Sequence, residues 1–126
     1  MKKGVKILHD DLGNGKTIIK GRYYQMAIKM WLKRGDPIIW STPIGLLDRM
    51  HLSEDKTELI ADYRIDKEYL FSGLLYGIEG MRIGGKRKLK IAPHLAFREK
   101  GIEGMIPPNA LLIVEVKIIE ERDLIA

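Results

Sequence analysis

The side chains that could support covalent or metal chemistry in this chain form no recognisable constellation. The three histidines, His9, His51 and His94, lack the spacing of metal ligands, and no serine lies in a triad pattern. The chain has no cysteine, which leaves it neither disulfides nor thiol chemistry. The segment "RIGGKRK" lacks the spacing of a phosphate-binding P-loop. We therefore predict no metal and no cofactor, and expect a function based on non-covalent binding.

Glycine and proline concentrate in the part of the chain best suited to form a binding wall. It contains "GMRIGGKRKLKIAP" at residues 80–93 and "GIEGMIPPNALLIVEV" at residues 101–116, with "HLAFREK" between them. Glycine and proline direct the backbone into turns and strand edges. The apolar side chains among them are free to face a ligand or the core.

The elements that must position this wall are mostly strands. We predict strands in "VKILH", "GRYYQMAIKMWL", "TELIADYRI", "KRKLKIA" and "ALLIVEVKIIE" from their β-branched and aromatic content and their alternation. In the last two, the pattern assigns one face to the core and one to water. The inward residues are Arg87, Leu89, Ile91, Leu112, Val114, Val116 and Ile118, and the outward ones include Lys86, Lys88, Lys90, Glu115 and Lys117.

One segment, "DKEYLFSGLLYGIEGM", predicts a helix. Asp66 is a suitable N-cap, and Glu68 would lie in the first turn, where the helix dipole favours a carboxylate. Gly73 and Gly77 each cost about 1 kcal/mol relative to alanine in a helix, so we expect this helix to approach a sheet closely. The segment "IGLLDRM" is predicted to form a helical turn. Many strands and one convincing helix indicate an α+β domain with an antiparallel sheet.

Size and charge narrow the remaining possibilities. The chain has 126 residues, 45% apolar and 31% charged, which suits one domain at residues 1–126. No apolar run is long enough to cross a bilayer, and we expect a cytoplasmic protein with no membrane partner. The net charge is +5, but charge sign alone is weak support for nucleic-acid binding. We therefore interpret Lys86–Lys90 as a solvated strand face and consider nucleic acid an unlikely partner.

The two glycine- and proline-rich segments together resemble the FKBP-type peptidyl-prolyl cis-trans isomerase family. The first is similar to the family's G-M-x-x-G-x-K-R-x-x-I-x-P strand, and the second to its G-x-I-P-P-x-A-x-L-x-F-x-V ending. "YLFSGLLYGIEGM" resembles the family helix with both glycines in place. The resemblance implies a curved antiparallel sheet of five to six strands wrapped around one short α-helix. It also identifies an enlarged insertion at about residues 40–57.

The family's chemistry is rotation about an X–Pro bond, whose barrier of about 20 kcal/mol comes from amide resonance. An enzyme lowers this barrier by holding proline in a dry, apolar pocket that favours the twisted amide. Leu70 and Phe71 fall on the family's Val-Ile pair, which keeps an apolar wall and one backbone N–H. Met105 and Ile106 match the isoleucines before the two prolines.

Several pocket positions differ from the family pattern. Phe97 falls on the loop tyrosine and keeps the ring without the hydroxyl, and Leu74 falls on the floor tryptophan. By the same correspondence, Ile28 falls on a tyrosine, Ile38 and Ile39 on a Phe-Asp pair, and Val114 on a phenylalanine. The predicted pocket-lining set is Ile28, Ile38, Ile39, Leu70, Phe71, Leu74, Phe97, Met105, Ile106 and Val114.

These replacements predict a degenerate isomerase pocket in a domain that works mainly by binding protein or proline-containing peptide. The partner would be a client chain or a specific protein to be neutralised, such as a toxin bound by an immunity protein. Apolar residues of the insertion are the candidates for a partner surface, namely Trp40, Leu46, Leu47 and Met50. The alternative is an active but slow isomerase with chaperone character. The sequence leaves the oligomeric state open.

Overall fold

A computed structural model describes residues 2–41, 43 and 45–123 of the chain, which form an antiparallel sheet and a short helix. The sheet has six strands in the order β1-β5-β6-β2-β4-β3. The strands are β1 (Val5–Asp11), β2 (Tyr23–Leu32), β3 (Asp48–Leu52), β4 (Glu58–Arg64), β5 (Lys86–Ile91) and β6 (Leu112–Arg122). The helix α1 is Ser72–Gly77, and a single 3-10 turn covers Pro93–Leu95. This architecture confirms the predicted fold class.

Alternation along the strands separates a core face from a water-facing face. On β6, Leu112, Val114, Val116 and Ile118 are fully buried, as their two-residue period predicts. They join the inward residues of β2, β4 and β5 and the apolar side chains of α1 in one core cluster. The sheet face that carries this cluster is called the inner face below, and the opposite one the outer face.

The helix is shorter than predicted and begins later. The Oδ1 atom of Asp66 accepts hydrogen bonds from the backbone N–H groups of Glu68 (3.0 Å) and Tyr69 (3.2 Å), but these close a turn before the helix. The helix itself follows Phe71, which occupies the N-cap position and offers no side-chain hydrogen bond. Asp66 therefore caps the turn that precedes α1 and not α1 itself.

The helix glycines are explained by close packing, as predicted. A Cβ atom on Gly73 would lie 2.3 Å from Cγ2 of Ile91, and one on Gly77 would lie 2.4 Å from Cδ1 of Leu89. Both distances are far below van der Waals contact, so only glycine lets α1 rest on β5 at this separation.

The predicted helical turn in "IGLLDRM" is wrong where the structure describes it, and Ile44 lies outside the described residues. Asp48, Arg49 and Met50 belong to β3, which pairs with β4 at the edge of the sheet. The register shifts between Asp48 and His51, and Arg49 there has a left-handed backbone with φ of 51°. The segment therefore forms a bulged strand, because pairing with β4 satisfies backbone N–H and C=O groups that a helical turn would leave unpaired.

A buried arginine ties β1 to the end of the helix. The Nε and Nη2 atoms of Arg87 donate to the two carboxylate oxygens of Asp10 at 3.0 and 3.2 Å. Its Nη1 atom donates to the carbonyl oxygens of Gly77 (2.8 Å) and Glu79 (2.7 Å). These carbonyls lie at the helix C-terminus, where backbone acceptors have no partner within the helix.

No helix within the described residues has the length and apolar character needed to span a membrane.

Candidate functional site

Two aromatic rings meet at the predicted pocket. Phe71 immediately precedes α1, and Phe97 lies in the loop between β5 and β6. Their ring centroids are 4.8 Å apart, with the planes tilted by 50°. Both side chains are half-buried and pack against the core cluster. The Phe71–Phe97 pair therefore presents an apolar surface to solvent at the predicted mouth of the pocket.

The loop that carries Phe97 is held on both sides by short backbone hydrogen bonds. The N–H of Gly101 donates to the carbonyl of Phe97 at 2.9 Å, and the N–H groups of Ile102 and Ile106 donate to each other's carbonyls at 2.7 and 2.8 Å. Gly101 has a φ of 60°, and a Cβ atom there would lie 2.2 Å from the carbonyl oxygen of Ile106. The loop is therefore a fixed element of the site, built by the glycine and proline pattern of the sequence.

Phe71 also contributes a polar group to this surface. Its carbonyl accepts from the N–H of Leu75 at 3.0 Å, which begins the helix. Its own N–H has no acceptor within residues 2–41, 43 and 45–123. An N-cap residue commonly has a free N–H, and this one belongs to a residue of the Phe71–Phe97 pair.

Most of the aliphatic residues predicted to line the pocket are sealed in the core. Leu74 and Ile28 are 2% exposed, and Val114 is fully buried. Ile38, Leu70 and Ile106 are likewise buried members of the core cluster. These side chains therefore belong to the core cluster and expose almost no surface to solvent. Whether they face a bound ligand stays a prediction.

The other members of the predicted set reach the surface. Ile39 is 48% exposed, and Met105 is half-buried beside Ile106. Ile38 and Ile39 point in opposite directions because they are neighbours in an extended segment that pairs with the end of β2. The structure thus brings Phe71, Phe97 and Met105 to the edge of the core cluster and leaves Ile39 in solvent.

The candidate partner residues of the insertion separate into buried and exposed ones. Trp40 is only 4% exposed, and its indole N–H donates to the carbonyl of Thr57 at 3.1 Å. It therefore packs inward and offers no ring to a partner in this conformation. Leu46 is 68% exposed and Met50 50% exposed, while Leu47 is half-buried. Thr42 and Ile44 lie outside the described residues.

Sequence reasoning missed a polar cluster beside the site. The hydroxyls of Tyr23 and Tyr69 lie 3.4 Å apart, and Nη1 of Arg64 donates to the Tyr23 oxygen at 3.3 Å. Arg64 also forms hydrogen-bonded ion pairs with Asp66 and Glu68. The hydrogen bond with Tyr23, together with burial, raises the pKa of Tyr69 to about 12. This cluster anchors Tyr69, the residue that precedes Leu70 and Phe71.

No local pattern would have revealed that cluster, because Tyr23 and Tyr69 come from distant parts of the chain. The available signal is weak: Arg64 follows a predicted strand and is close in sequence to Asp66 and Glu68. A capping aspartate that also pairs with an arginine indicates a braced turn more than a helix start.

The six-stranded antiparallel sheet with one short helix, and an aromatic pair beside the helix start, defines an α+β domain of the FKBP-like fold class. A model of the FKBP-type peptidyl-prolyl cis-trans isomerase family matches residues 52–119, more than half of the chain. The chain therefore belongs to the FKBP-type peptidyl-prolyl cis-trans isomerase family.

Named relatives agree with this assignment. The chain is 41% identical over 119 residues to FK506-binding protein 4 of Aspergillus fumigatus, covering 94% of this chain and 21% of that protein. It is 50% identical over 54 residues to the peptidyl-prolyl cis-trans isomerase Mip of Chlamydia muridarum, covering 43% of this chain and 21% of that protein. The chain thus spans about a fifth of each of these relatives.

Two solved structures share the fold. FkpA from Escherichia coli superposes with a TM-score of 0.67 at 24% identity, covering 96% of this chain and 53% of that one. A peptidyl-prolyl cis-trans isomerase from Pseudomonas syringae pv. tomato superposes with a TM-score of 0.65 at 21% identity, covering 97% of this chain and 84% of that one. At these identities the likeness concerns the fold alone.

Proposed function

We propose that this domain works mainly by binding proline-containing peptide or protein at the Phe71–Phe97 pair, with little or no isomerase activity of its own. The observation that carries the proposal is the combination of a half-exposed aromatic pair and a free Phe71 N–H with a sealed aliphatic floor. Such a surface offers apolar contact and one hydrogen bond to a peptide, but little depth.

Depth matters because catalysis requires differential binding of the twisted amide. A pyrrolidine ring that rests on top of two phenyl rings remains partly in water, so the electrostatic preference for the twisted form is weakened. At 2% exposure, Leu74 has almost no surface left for a ligand to touch. In this proposal a proline ring therefore contacts the two phenyl rings rather than Leu74.

The polar groups that would favour the twisted amide are also reduced. By the family correspondence, Phe97 lacks the hydroxyl of the loop tyrosine, and Ile39 replaces the aspartate. Ile39 is 48% exposed, so no carboxylate or substitute for it is directed inward from this position. The Phe71 N–H is the polar group left to bind a substrate carbonyl.

The alternative function is an active, though slow, prolyl isomerase with chaperone character. The free Phe71 N–H favours it, because one well-placed amide next to an apolar surface still stabilises a twisted carbonyl. The relative named peptidyl-prolyl cis-trans isomerase Mip supports the same alternative.

A protease-coupled assay on a short X–Pro peptide distinguishes the two. We expect a kcat/KM at least about 100-fold below that of an ordinary family member, the scale of losing one positioned donor. The variant Phe97→Tyr should raise kcat/KM about two- to tenfold, the value of one net hydrogen bond. Turnover clearly above this limit, and abolished by Phe71→Ala, would favour the isomerase alternative and refute the proposal that the domain works mainly by binding.

Binding is measured separately by titrating labelled protein with an X–Pro peptide and its X–Ala counterpart, followed by NMR. We expect amide shifts at Phe71 and in residues 95–106 for the X–Pro peptide only. The variant Tyr76→Ala serves as the control, since it removes a 37% exposed ring of α1 outside the aromatic pair. Equal shifts with both peptides would remove proline recognition from the proposal.

The insertion at residues 40–57 supplies a second binding surface in this proposal. Leu46, just before the edge strand β3, and Met50, on that strand, are exposed apolar side chains. Arg49 lies between them in the sequence and carries a positive charge. This surface suits a client chain or a specific partner such as a toxin with an acidic, apolar-centred face. The absence of cysteine is in keeping with a cytoplasmic location, which we propose together with this role.

Affinity purification from the source cells tests this surface. The double variant Leu46→Asp/Met50→Asp should lose a partner that wild type retains. The double variant Leu8→Asp/Leu12→Asp is the matched control, because Leu8 and Leu12 are 45% and 51% exposed and lie on the opposite edge of the sheet. Undiminished recovery with the first double variant would assign the partner to another surface.

A further inference from the structure

Lysine side chains gather on the outer face of the sheet, opposite α1 and the Phe71–Phe97 pair. Strand register places them in adjacent rows: Lys6 pairs with Lys90, Lys86 pairs with Lys117, and Lys88 and Lys29 both pair with Glu115. Along each strand these residues alternate with core residues. The outer face therefore carries these lysines: Lys6, Lys29, Lys86, Lys88, Lys90 and Lys117.

The carboxylates on this face do not neutralise the lysines. By the same register the acidic neighbours are Asp11, Glu58 and Glu115. Within the described part of the chain, Lys86 is the outer-face lysine with an ion pair, to Glu115 at 3.6 Å. The other lysines of the set form no ion pair there. An excess of positive charge thus remains on a single surface.

A tryptophan lies within this lysine surface. The Nζ atoms of Lys88 and Lys29 lie 5.0 and 5.9 Å from the ring centroid of Trp31. Trp31 is half-buried and pairs with Ile113 of β6. Elsewhere on the same face, a depression of about 260 Å³ is lined by Lys86 and Lys117, by Glu58 and Glu115, and by the apolar residues Ala27, Ile60 and Ile119.

We propose that the outer face binds single-stranded nucleic acid, with phosphates contacting the lysines and a base stacking on Trp31. A basic surface with an interleaved aromatic ring is the arrangement that binds single strands independently of sequence. Lys86, Lys88 and Lys90 are two residues apart on β5, which spaces them by about 6.8 Å along an extended strand. A strip of this kind follows an extended backbone.

Two alternatives are less well supported by the same surface. Double-stranded DNA is read by an element that enters a groove, and the outer face presents a sheet without a protruding helix. An acidic peptide would use the lysines, but it has no planar base to stack on Trp31. In the sequence only the β5 lysines stand together, which made nucleic acid an unlikely partner. The sheet places Lys6, Lys29, Lys117 and Trp31 beside them.

Fluorescence anisotropy with a labelled single-stranded oligothymidylate tests the proposal. We expect the affinity to fall with salt, with a slope of log K against log salt of about −2 to −4 for three to five released counterions. The double variant Lys88→Glu/Lys90→Glu should weaken binding at least tenfold. The variant Trp31→Leu should weaken it about tenfold with little change in the salt slope, because it removes stacking and no charge.

The matched control is Lys67→Glu/Lys100→Glu, which makes the same change in net charge at exposed positions outside the sheet strands. It should retain binding within about twofold. Equal losses in both double variants would show that net charge alone attracts the oligonucleotide and would overturn the proposal. Polyglutamate that binds as tightly, with no effect of Trp31→Leu, would instead assign the face to an acidic protein. Thermal unfolding of each variant checks that the fold is intact.

Discussion

The two faces of the sheet are built from the same strands by opposite principles. On β2, Ile28 and Met30 enter the sealed core, while Lys29 and Trp31 between and beside them reach the outer face. The inner face depends on matched volumes, because each of its side chains is surrounded by others. The outer face depends on charge and on one ring, and its side chains have few fixed neighbours. A two-residue period thus lets substitutions accumulate on one face without disturbing the other.

The comparison also bears on the aromatic pair at the rim of the inner face. Most of the aliphatic residues predicted to line the pocket belong to the core cluster, and Phe71 and Phe97 pack against that cluster. Under the proposed function, a peptide would contact these two half-buried rings rather than the enclosed aliphatic side chains.

The strongest way to break the inner face is to remove volume from it. Leu74→Ala should lower the free energy of unfolding by about 2–5 kcal/mol, because the side chain is fully enclosed and leaves a cavity. Leu46→Ala is the control, with an expected change within about 0.5 kcal/mol at a 68% exposed position. Urea unfolding measures both. Similar values for the two variants would mean that Leu74 is not part of a close-packed core.

Adding volume tests the same packing in the opposite sense. Gly77→Ala should destabilise by about 1–3 kcal/mol, although alanine favours helix, since its methyl group would overlap Leu89. Gly80→Ala is a useful contrast, because nothing lies within 4 Å of a Cβ there and only its φ of 80° is strained. The pair Gly77→Ala/Leu89→Ala should lose less stability than the sum of the two single variants, because removing the Leu89 side chain relieves the overlap. If Gly77→Ala is stabilising, helix propensity outweighs packing at this position.

The stability of the β3–β4 hairpin, at one edge of the sheet, should depend on pH. Hydrogen bonds from the hydroxyl and N–H of Thr57, and then from Ser53, lower the pKa of Asp55 from 3.8 to about 2. Because the folded pKa is depressed, the contribution to stability is complete above 3.8 and is lost as the pH falls through about 2. Hydrogen exchange of the Thr57 and Glu58 amides should therefore quicken over that window. Asp55→Asn should remove this dependence, and a pH profile unchanged by the substitution would assign the effect to another carboxyl group.

The smallest effect on stability is expected on the outer face. Lys88→Ala should change the free energy of unfolding by less than about 0.5 kcal/mol, because the side chain forms no ion pair among the described residues and its contact with Trp31 lies at the sheet surface. Differential scanning calorimetry is the appropriate measurement. A loss above 1 kcal/mol would show that the lysine stabilises the sheet through Trp31, and would weaken the contrast between the faces.

The second half of the chain was the more predictable, for a physical reason. Strands β5 and β6 alternate strictly, so their buried residues could be named from spacing alone, and Gly73 and Gly77 indicated close approach. Alternation and glycine spacing of this kind can be recognised within a short window of consecutive residues. The inner and outer faces of the sheet near β6 were therefore visible in the sequence.

The start of the helix and the insertion could not be predicted in the same way. Asp66 satisfies backbone donors in a turn as well as in a helix, so its presence does not fix which element follows. Trp40 was considered a surface residue, but its indole N–H finds the carbonyl of Thr57 seventeen positions away. The bulge at Arg49 depends on pairing with β4. Each of these depends on a contact that no sequence window contains.

Arg87 couples the edge strand β1 to the C-terminal end of the helix α1. Its guanidinium group holds the Asp10 carboxylate on edge strand β1 and, at the same time, the last carbonyls of α1. If β1 separated from β5, Arg87 would lose its bond to Asp10. Arg87 also binds the last helix carbonyls, so the end of α1 would unfold more readily. A pull on the amino-terminal strand would in this way be transmitted to the element whose first residues present Phe71.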